Sequence, residues 1–281
     1  MNYRHGFHAG NFADVVKHAL LARVVMHLRK KEAAFRVIDT HAGSGRTDLA
    51  GEEARRGGEW QAGIGRVWQR PFAAPAAALL EPYLSVIADL NPTGTLTIYP
   101  GSPILIRHWL RPQDRLIACE LEHNAARALA RNLRGDKRVK MIPIDGWTAL
   151  NAYIPPRENR GLVLIDPPYE QEHELQRAVD AVCAAHRKWP GGTVLLWYPI
   201  KDRRQVARSL ASLTACKPAN SLRIELSRAA QSGDRLRGTG LVAVNAPWTL
   251  ADEAQILLPA LAHAFWPDER SEIRIDALAR A

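Results

Sequence analysis

Four apolar runs in this chain each end in a carboxylate: Phe35 to Asp39, Arg115 to Glu120, Arg138 to Asp145 and Gly161 to Asp166. A fifth run, Thr193 to Tyr198, follows the same pattern without the terminal acid. Stretches of helical character separate them, including His123 to Leu133, Glu172 to Trp189 and Arg203 to Leu213. Strands alternating with helices specify a mainly parallel sheet covered by helices on both faces. Ligands of such sheets bind beyond the carboxyl ends of the strands, so Asp39, Glu120, Asp145 and Asp166 are expected to line one crevice. One acid there could simply cap the following helix. Four together point to a site.

The rest of the chain is arranged around that unit. A helix is expected from Asn11 to Lys31, where Val16, Leu20, Val24 and Leu28 recur at four-residue steps and Asn11 and Asp14 supply capping chemistry. The interval from Asp39 to Glu120 is too long for one strand-helix-strand step. It holds an Ala/Pro-rich helical stretch, Pro71 to Leu90, and turn signals at Gly57-Gly58 and Asn91-Pro92. Residues 47–97 therefore read as a small helical insertion between core segments 1–46 and 98–281. Near the end, Ser221 to Arg228 and Gly240 to Val244 look like a strand pair joined by a basic loop, and a helix from Asp252 to Phe265 closes the chain.

Bulk properties set limits. With 281 residues, 47% hydrophobic and 24% charged, the chain can bury a sizeable core, which excludes wholesale disorder. No apolar run approaches the roughly 20 residues of a membrane span, and Met1 to Gly10 carries no signal-peptide core. Cys119, Cys183 and Cys216 form no closely spaced pair, which argues against a disulfide framework and for a reducing cytoplasm. The formal charge of +9 favours a polyanionic partner. It is unevenly placed. Residues 1–36 hold seven bases against two acids and residues 201–237 nine against three, whereas the insertion is close to neutral. Such surfaces can hold a phosphate backbone without reading sequence.

The sharpest motif is Asp166-Pro167-Pro168-Tyr169, directly after the apolar run Gly161 to Ile165. Two prolines make the turn rigid. An exocyclic amine such as adenine N6 carries two hydrogens, which the Asp166 carboxylate and the Pro167 carbonyl can accept, aiming the nitrogen lone pair at an electrophile. Tyr169 can stack on the base. The loop Asp39 to Gly45 is the natural cofactor partner, because Gly43 and Gly45 permit close backbone approach. It is no Walker loop and lacks a phosphate-gripping lysine. Glu120 is placed to accept from a ribose diol, and Asp145-Gly146 to meet an adenine ring. His5, His8, His18 and His41 match no metal-ligand spacing, so no metal is expected. Asn245-Ala246-Pro247-Trp248 imitates the catalytic motif without its second proline, and Trp248 reads as a packing residue.

This order of motifs resembles S-adenosylmethionine-dependent amino-methyltransferases. More narrowly, Tyr3 to Asn11, Asp14 to His18, Asp39 to Gly43, Tyr99 to Pro103 and Trp197-Tyr198-Pro199 resemble the bacterial 23S ribosomal RNA adenine-N6 methyltransferase family over nearly the whole chain, from Tyr3 to about Trp248. The resemblance implies a Rossmann-like class I methyltransferase fold, with a mainly parallel seven-stranded sheet and an antiparallel last strand. It implies an S-adenosyl-L-methionine pocket using Lys17 or His18, His41, Ser102, Glu120, Asp145, Gly146 and Asp166. Asp166, Pro167 and Tyr169 then form the catalytic set. The substrate side involves Tyr3 and Tyr169, with Arg235 and Arg237 from the late basic loop. The expected protein is a monomeric, cytoplasmic enzyme acting on 23S rRNA that is free of protein or early in assembly. A DNA adenine methyltransferase and a non-catalytic nucleic-acid-binding protein are the alternatives.

Overall fold

Asn11 starts the first long helix, as its side chain accepts a hydrogen bond from the Asp14 N–H at 3.0 Å. In the computed structural model, which describes residues 5–216, 218, 220–229 and 236–278, that helix is α1 (Phe12–Arg29). There follow β1 (Arg36–Asp39), β2 (Arg46–Asp48), α2 (Glu52–Gly57), α3 (Glu59–Ala62), α4 (Ile64–Val67), α5 (Ala74–Leu90), β3 (Ile98–Pro100) and α6 (Ser102–Trp109). The strand-helix alternation then takes over: β4 (Arg115–Cys119), α7 (His123–Asn132), β5 (Val139–Ile142), α8 (Gly146–Tyr153), β6 (Gly161–Ile165), α9 (Glu174–Lys188), β7 (Thr193–Ile200) and α10 (Arg203–Ala215). The chain continues through β8 (Leu222–Arg228), β9 (Gly238–Val244), α11 (Leu250–Phe265) and β10 (Ser271–Ala277).

Eight strands form one sheet in the order β10-β8-β9-β7-β6-β1-β4-β5. The five from β7 to β5 are parallel, while β9 runs antiparallel to β7 and β8, and β10 antiparallel to β8. Successive strand residues point to opposite faces. Val37, Leu116, Leu162 and Leu164 accordingly join the core under α1, α5, α6 and α11, whereas Ile38, Ile117, Val163 and Ile165 join the core under α8, α9 and α10. Strands buried on both faces need apolar residues at nearly every position, which is why β6 reads as the run Gly-Leu-Val-Leu-Ile.

Four expectations are corrected. The sheet has eight strands rather than seven, because the chain does not close on α11. Edge strand β10 alternates Ile273 and Ile275 with Glu272, Arg274 and Asp276, and it is tied to β8 through Arg223, whose guanidinium donates to Asp276 at 2.7 and 2.8 Å. Strand β5 stops at Ile142, leaving Asp145 as the N-cap of α8. Cys183 and Cys216, 33 residues apart, form a disulfide, and Cys119 is free and buried. Trp248 is 80% exposed rather than packed.

Between β1 and β4 the chain leaves and re-enters through the antiparallel pair β2–β3, with Arg46 opposite Pro100 and Asp48 opposite Ile98. The apolar side chains of α5, including Leu80, Tyr83 and Ile87, are buried in the same core as those of α1. Among the described residues no helix is long and apolar enough to cross a membrane.

Candidate active site

A cavity of about 1720 Å³ opens at the carboxyl ends of the parallel strands. Its wall brings together Lys17, His18, His41, Ser102, Glu120, Asp145, Gly146, Asp166, Pro167 and Tyr169, ten positions singled out in the sequence. Asp39 lies behind this wall, wholly buried. Tyr3 and Arg235 fall outside the described residues. Arg237 does not line the cavity; it is half-buried beside β9, and its Nε is enclosed without a hydrogen-bond partner.

The carboxylate of Asp166 follows β6 and is held from across the cavity by α1. Lys17 Nζ donates to Asp166 Oδ2 at 2.5 Å and to Asp14 Oδ1 at 2.8 Å, and it sits 5.3 Å from the centre of the Trp197 ring. Burial opposes the lysine charge, but the two carboxylates outweigh it and hold the Lys17 pKa above its ordinary value. Asp14 is itself fixed by the Gly10 N–H, which donates to Oδ2 at 2.9 Å. Asp166 Oδ1 makes no hydrogen bond among the described residues and remains the oxygen open to the cavity. Tyr169 adopts a left-handed backbone with φ 55°, uncommon for an aromatic residue. Its hydroxyl donates to the Trp197 carbonyl, and the two rings meet edge to face at 5.5 Å.

The glycine loop is built on real left-handed geometry, with φ 61° at Gly43 and 86° at Gly45. Glu120 braces it, accepting from the Gly43 N–H at 2.8 Å through Oε2 and from the Glu122 N–H at 2.7 Å through Oε1. Ser102 starts α6 and donates its hydroxyl to Asp39 Oδ2 at 2.7 Å. The other Asp39 oxygen, Oδ1, is buried and meets no well-aligned hydrogen-bond donor among the described residues, and burial pushes this carboxyl up to about 7. His41 hydrogen-bonds Thr40 Oγ1 through Nδ1 at 2.8 Å, while the Thr40 hydroxyl donates to the Leu164 carbonyl. One hydroxyl has one proton, so His41 Nδ1 must be the donor, leaving Nε2 as an acceptor. Burial lowers the His41 pKa to about 4 and keeps the ring neutral. His18 Nδ1 pairs with Tyr99 OH at 2.8 Å, and that hydroxyl pairs with Tyr83 OH at 2.9 Å. Asp145 caps α8 with Oδ2, accepting from Thr148 N–H at 2.9 Å. A Cβ on Gly146 would lie 2.4 Å from the Thr40 carbonyl and 2.7 Å from the His41 ring, so the loop and α8 can meet only at a glycine.

Residues 32–276 match the family described as ribosomal RNA large subunit methyltransferase D, RlmJ. The chain belongs to the RlmJ family. It is 38% identical over 262 residues to ribosomal RNA large subunit methyltransferase J of Escherichia coli K12, covering 93% of this chain and 92% of that protein. It is 37% identical over 270 residues to the protein of the same name from Haemophilus influenzae, covering 95% of each. Protein LPL1258 of Legionella pneumophila superposes with a TM-score of 0.88 at 34% identity, covering 96% of this chain and 98% of that one. This RlmJ-family member thus has the α/β methyltransferase fold expected of its motifs, with an added edge strand.

Two functional neighbours of this RlmJ-family site were not singled out as site residues in the sequence. Asp14 looked like a capping residue, yet it anchors Lys17. Trp197 looked like a strand end, yet it carries Lys17 on its face and the Tyr169 hydroxyl on its carbonyl. The i, i+3 pairing of Asp14 with Lys17 was the available signal for the first.

Proposed function

We propose that this chain transfers the methyl group of S-adenosyl-L-methionine to N6 of an adenine in 23S rRNA. The observation that carries the reading is the Asp166 carboxylate, pinned by Lys17 at the end of β6 in the cavity that also collects Glu120 and Asp145. The donor set suits the cofactor. Its acids Glu120, Asp145 and Asp166, gathered in one cavity, match a ligand bearing sulfonium and ammonium charges. Glu120 is placed for a ribose diol. Asp145, Gly146 and the neutral His41 are placed for the adenine, with Ser102 and His18 completing the pocket. Lys17 serves this pocket by holding Asp166.

When bound, the cofactor supplies an electrophilic methyl group. The chain's own work is positioning. Asp166 Oδ1 accepts one hydrogen of the adenine amine and Pro167 offers its carbonyl to the other, so the nitrogen lone pair is aimed rather than unmasked by deprotonation. The Lys17 bridge keeps Asp166 from rotating away. Tyr169, locked on Trp197, walls the base. The target base must be flipped out or already unpaired to reach this depth. Residues 47–97 are proposed as an insertion into a core of 1–46 and 98–281, and Arg235 and Arg237 as phosphate contacts of a monomeric, cytoplasmic enzyme. The test is methyl transfer from labelled cofactor to unmodified 23S rRNA and to adenine-containing DNA. Label in the RNA alone supports the reading, and label in DNA alone overturns it.

Two further results are expected. Gly146→Ala should leave the protein folded but weaken cofactor binding about tenfold or more in calorimetry, because its methyl displaces the Thr40–His41 backbone. Asp39 should make stability pH-dependent. Its folded pKa of about 7 lies above that of an unfolded aspartate, so the native state holds the extra proton and stability falls as pH rises from about 4 to 7. Asp39→Asn should therefore be more stable than the parent at pH 8 and show no such gain at pH 4, as read by urea unfolding.

A further inference from the structure

The far end of the molecule carries an exposed aromatic residue beside two exposed lysines. Strand β9 runs antiparallel to β7, from Gly238 opposite Ile200 to Val244 opposite Val194, so the turn after it lies at the end of the sheet remote from Asp166. That turn presents Trp248, 80% exposed, with Lys30 Nζ 6.0 Å from its ring centre. Helix α1 connects the two ends, with Lys17 at the cavity and Lys30 about 20 Å further along at 1.5 Å per residue.

The backbone beneath this aromatic residue is fixed. Asn245, in a left-handed conformation with φ 50°, donates from Nδ2 to the carbonyls of Pro190 at 2.5 Å and Gly192 at 2.8 Å. The Ala246 N–H donates to the Asn220 carbonyl at 3.2 Å. On the other side, the turn after α1 is pinned by two guanidinium groups. Arg160 donates to the carbonyls of Leu28 and Ala33, and Arg111 to those of Lys31 and Ala33. These arginines already answer the partial negative charge of the helix end, where cations are ordinarily favoured. Lys30 and Lys31 are exposed, and among the described residues neither forms an ion pair. Helix-end electrostatics therefore do not account for them, and packing does not account for Trp248.

We infer that Trp248, Lys30 and Lys31 form a second contact surface for the RNA substrate, in which an unpaired base stacks on the indole and its phosphates meet the two lysines. This rests on the reading of the chain as an rRNA methyltransferase. A π-face tolerates any base and the lysines read only charge, so the surface adds affinity rather than sequence choice. It would hold an RNA segment about 20 Å from the modified adenine, so only a substrate extending that far gains from it.

The test is equilibrium binding of unmodified 23S rRNA without cofactor, across a salt series. It compares the parent protein with Trp248→Ala, Trp248→Phe and Lys30→Gln/Lys31→Gln. Trp248→Ala should weaken binding roughly tenfold and Trp248→Phe much less, in line with one base-aromatic stack. The double glutamine variant should lower the slope of log affinity against log salt by about 1.5. Unfolding midpoints and S-adenosylmethionine affinity should match the parent in all three, which separates lost contact from lost fold. Parent-like affinity and salt slope in Trp248→Ala and in the double variant overturn the inference, including the case in which a protein covers this face. Because binding is read without methyl transfer, a parent that binds rRNA but never methylates it defeats the functional reading alone. A parent that does not bind rRNA defeats both.

Discussion

Asp166→Ala is expected to abolish methyl transfer, by about a thousandfold or more in kcat, while S-adenosylmethionine affinity stays within a few-fold of the parent. The reaction asks the protein chiefly to aim a neutral amine, and orientation effects of this kind are worth several kcal/mol of barrier. Asp166 Oδ1 is the open carboxylate oxygen at the end of β6, whereas the acids assigned to the cofactor, Glu120 just after β4 and Asp145 at the N-cap of α8, are untouched. The substitution also leaves Lys17 paired with Asp14, so the fold should survive. Single-turnover methylation and calorimetry on the same sample check both halves. A loss confined to cofactor binding would move Asp166 from the acceptor side to the cofactor side.

Lys17→Met should be the most destabilising single change at the site. It removes the cation that, among the described residues, lies between Asp14 and Asp166, and so breaks a buried ion pair to each of these carboxylates. Breaking a buried ion pair in this way costs about 3–5 kcal/mol. The sign with pH follows from linkage. The folded Lys17 pKa lies above the ordinary lysine value, so its contribution is complete below that value and is lost only as pH rises past it. At neutral pH the variant therefore shows the full deficit. Urea unfolding at neutral pH measures it.

Much of this architecture was legible in the chain for a definite physical reason. Strands β1, β4 and β6 are buried on both faces and so cannot avoid apolar runs, and each run ends at or next to an acid that the parallel topology delivers to one edge. Asp39, Glu120 and Asp166 were therefore visible before any contact was known. The Lys17–Asp166 bridge was not, because it joins residues 149 apart and no local pattern encodes it. The Cys183–Cys216 pair escaped for the same reason, with 33 residues between partners. Strand β10 was hidden by its charged alternation, since an edge strand exposed on one side carries no continuous apolar signal. Trp248 was misplaced because an aromatic following an apolar strand ordinarily packs. What exposes it is the Asn245 anchor, formed with residues more than fifty positions away.

The most direct test of the account is the identity of the methylated nucleoside. Unmodified 23S rRNA is incubated with labelled S-adenosylmethionine and either the parent protein or Asp166→Ala, digested to nucleosides and resolved by mass spectrometry. The account expects the label in N6-methyladenosine with the parent and none with the variant. Label on another base or another atom, or equal labelling by the variant, would contradict it.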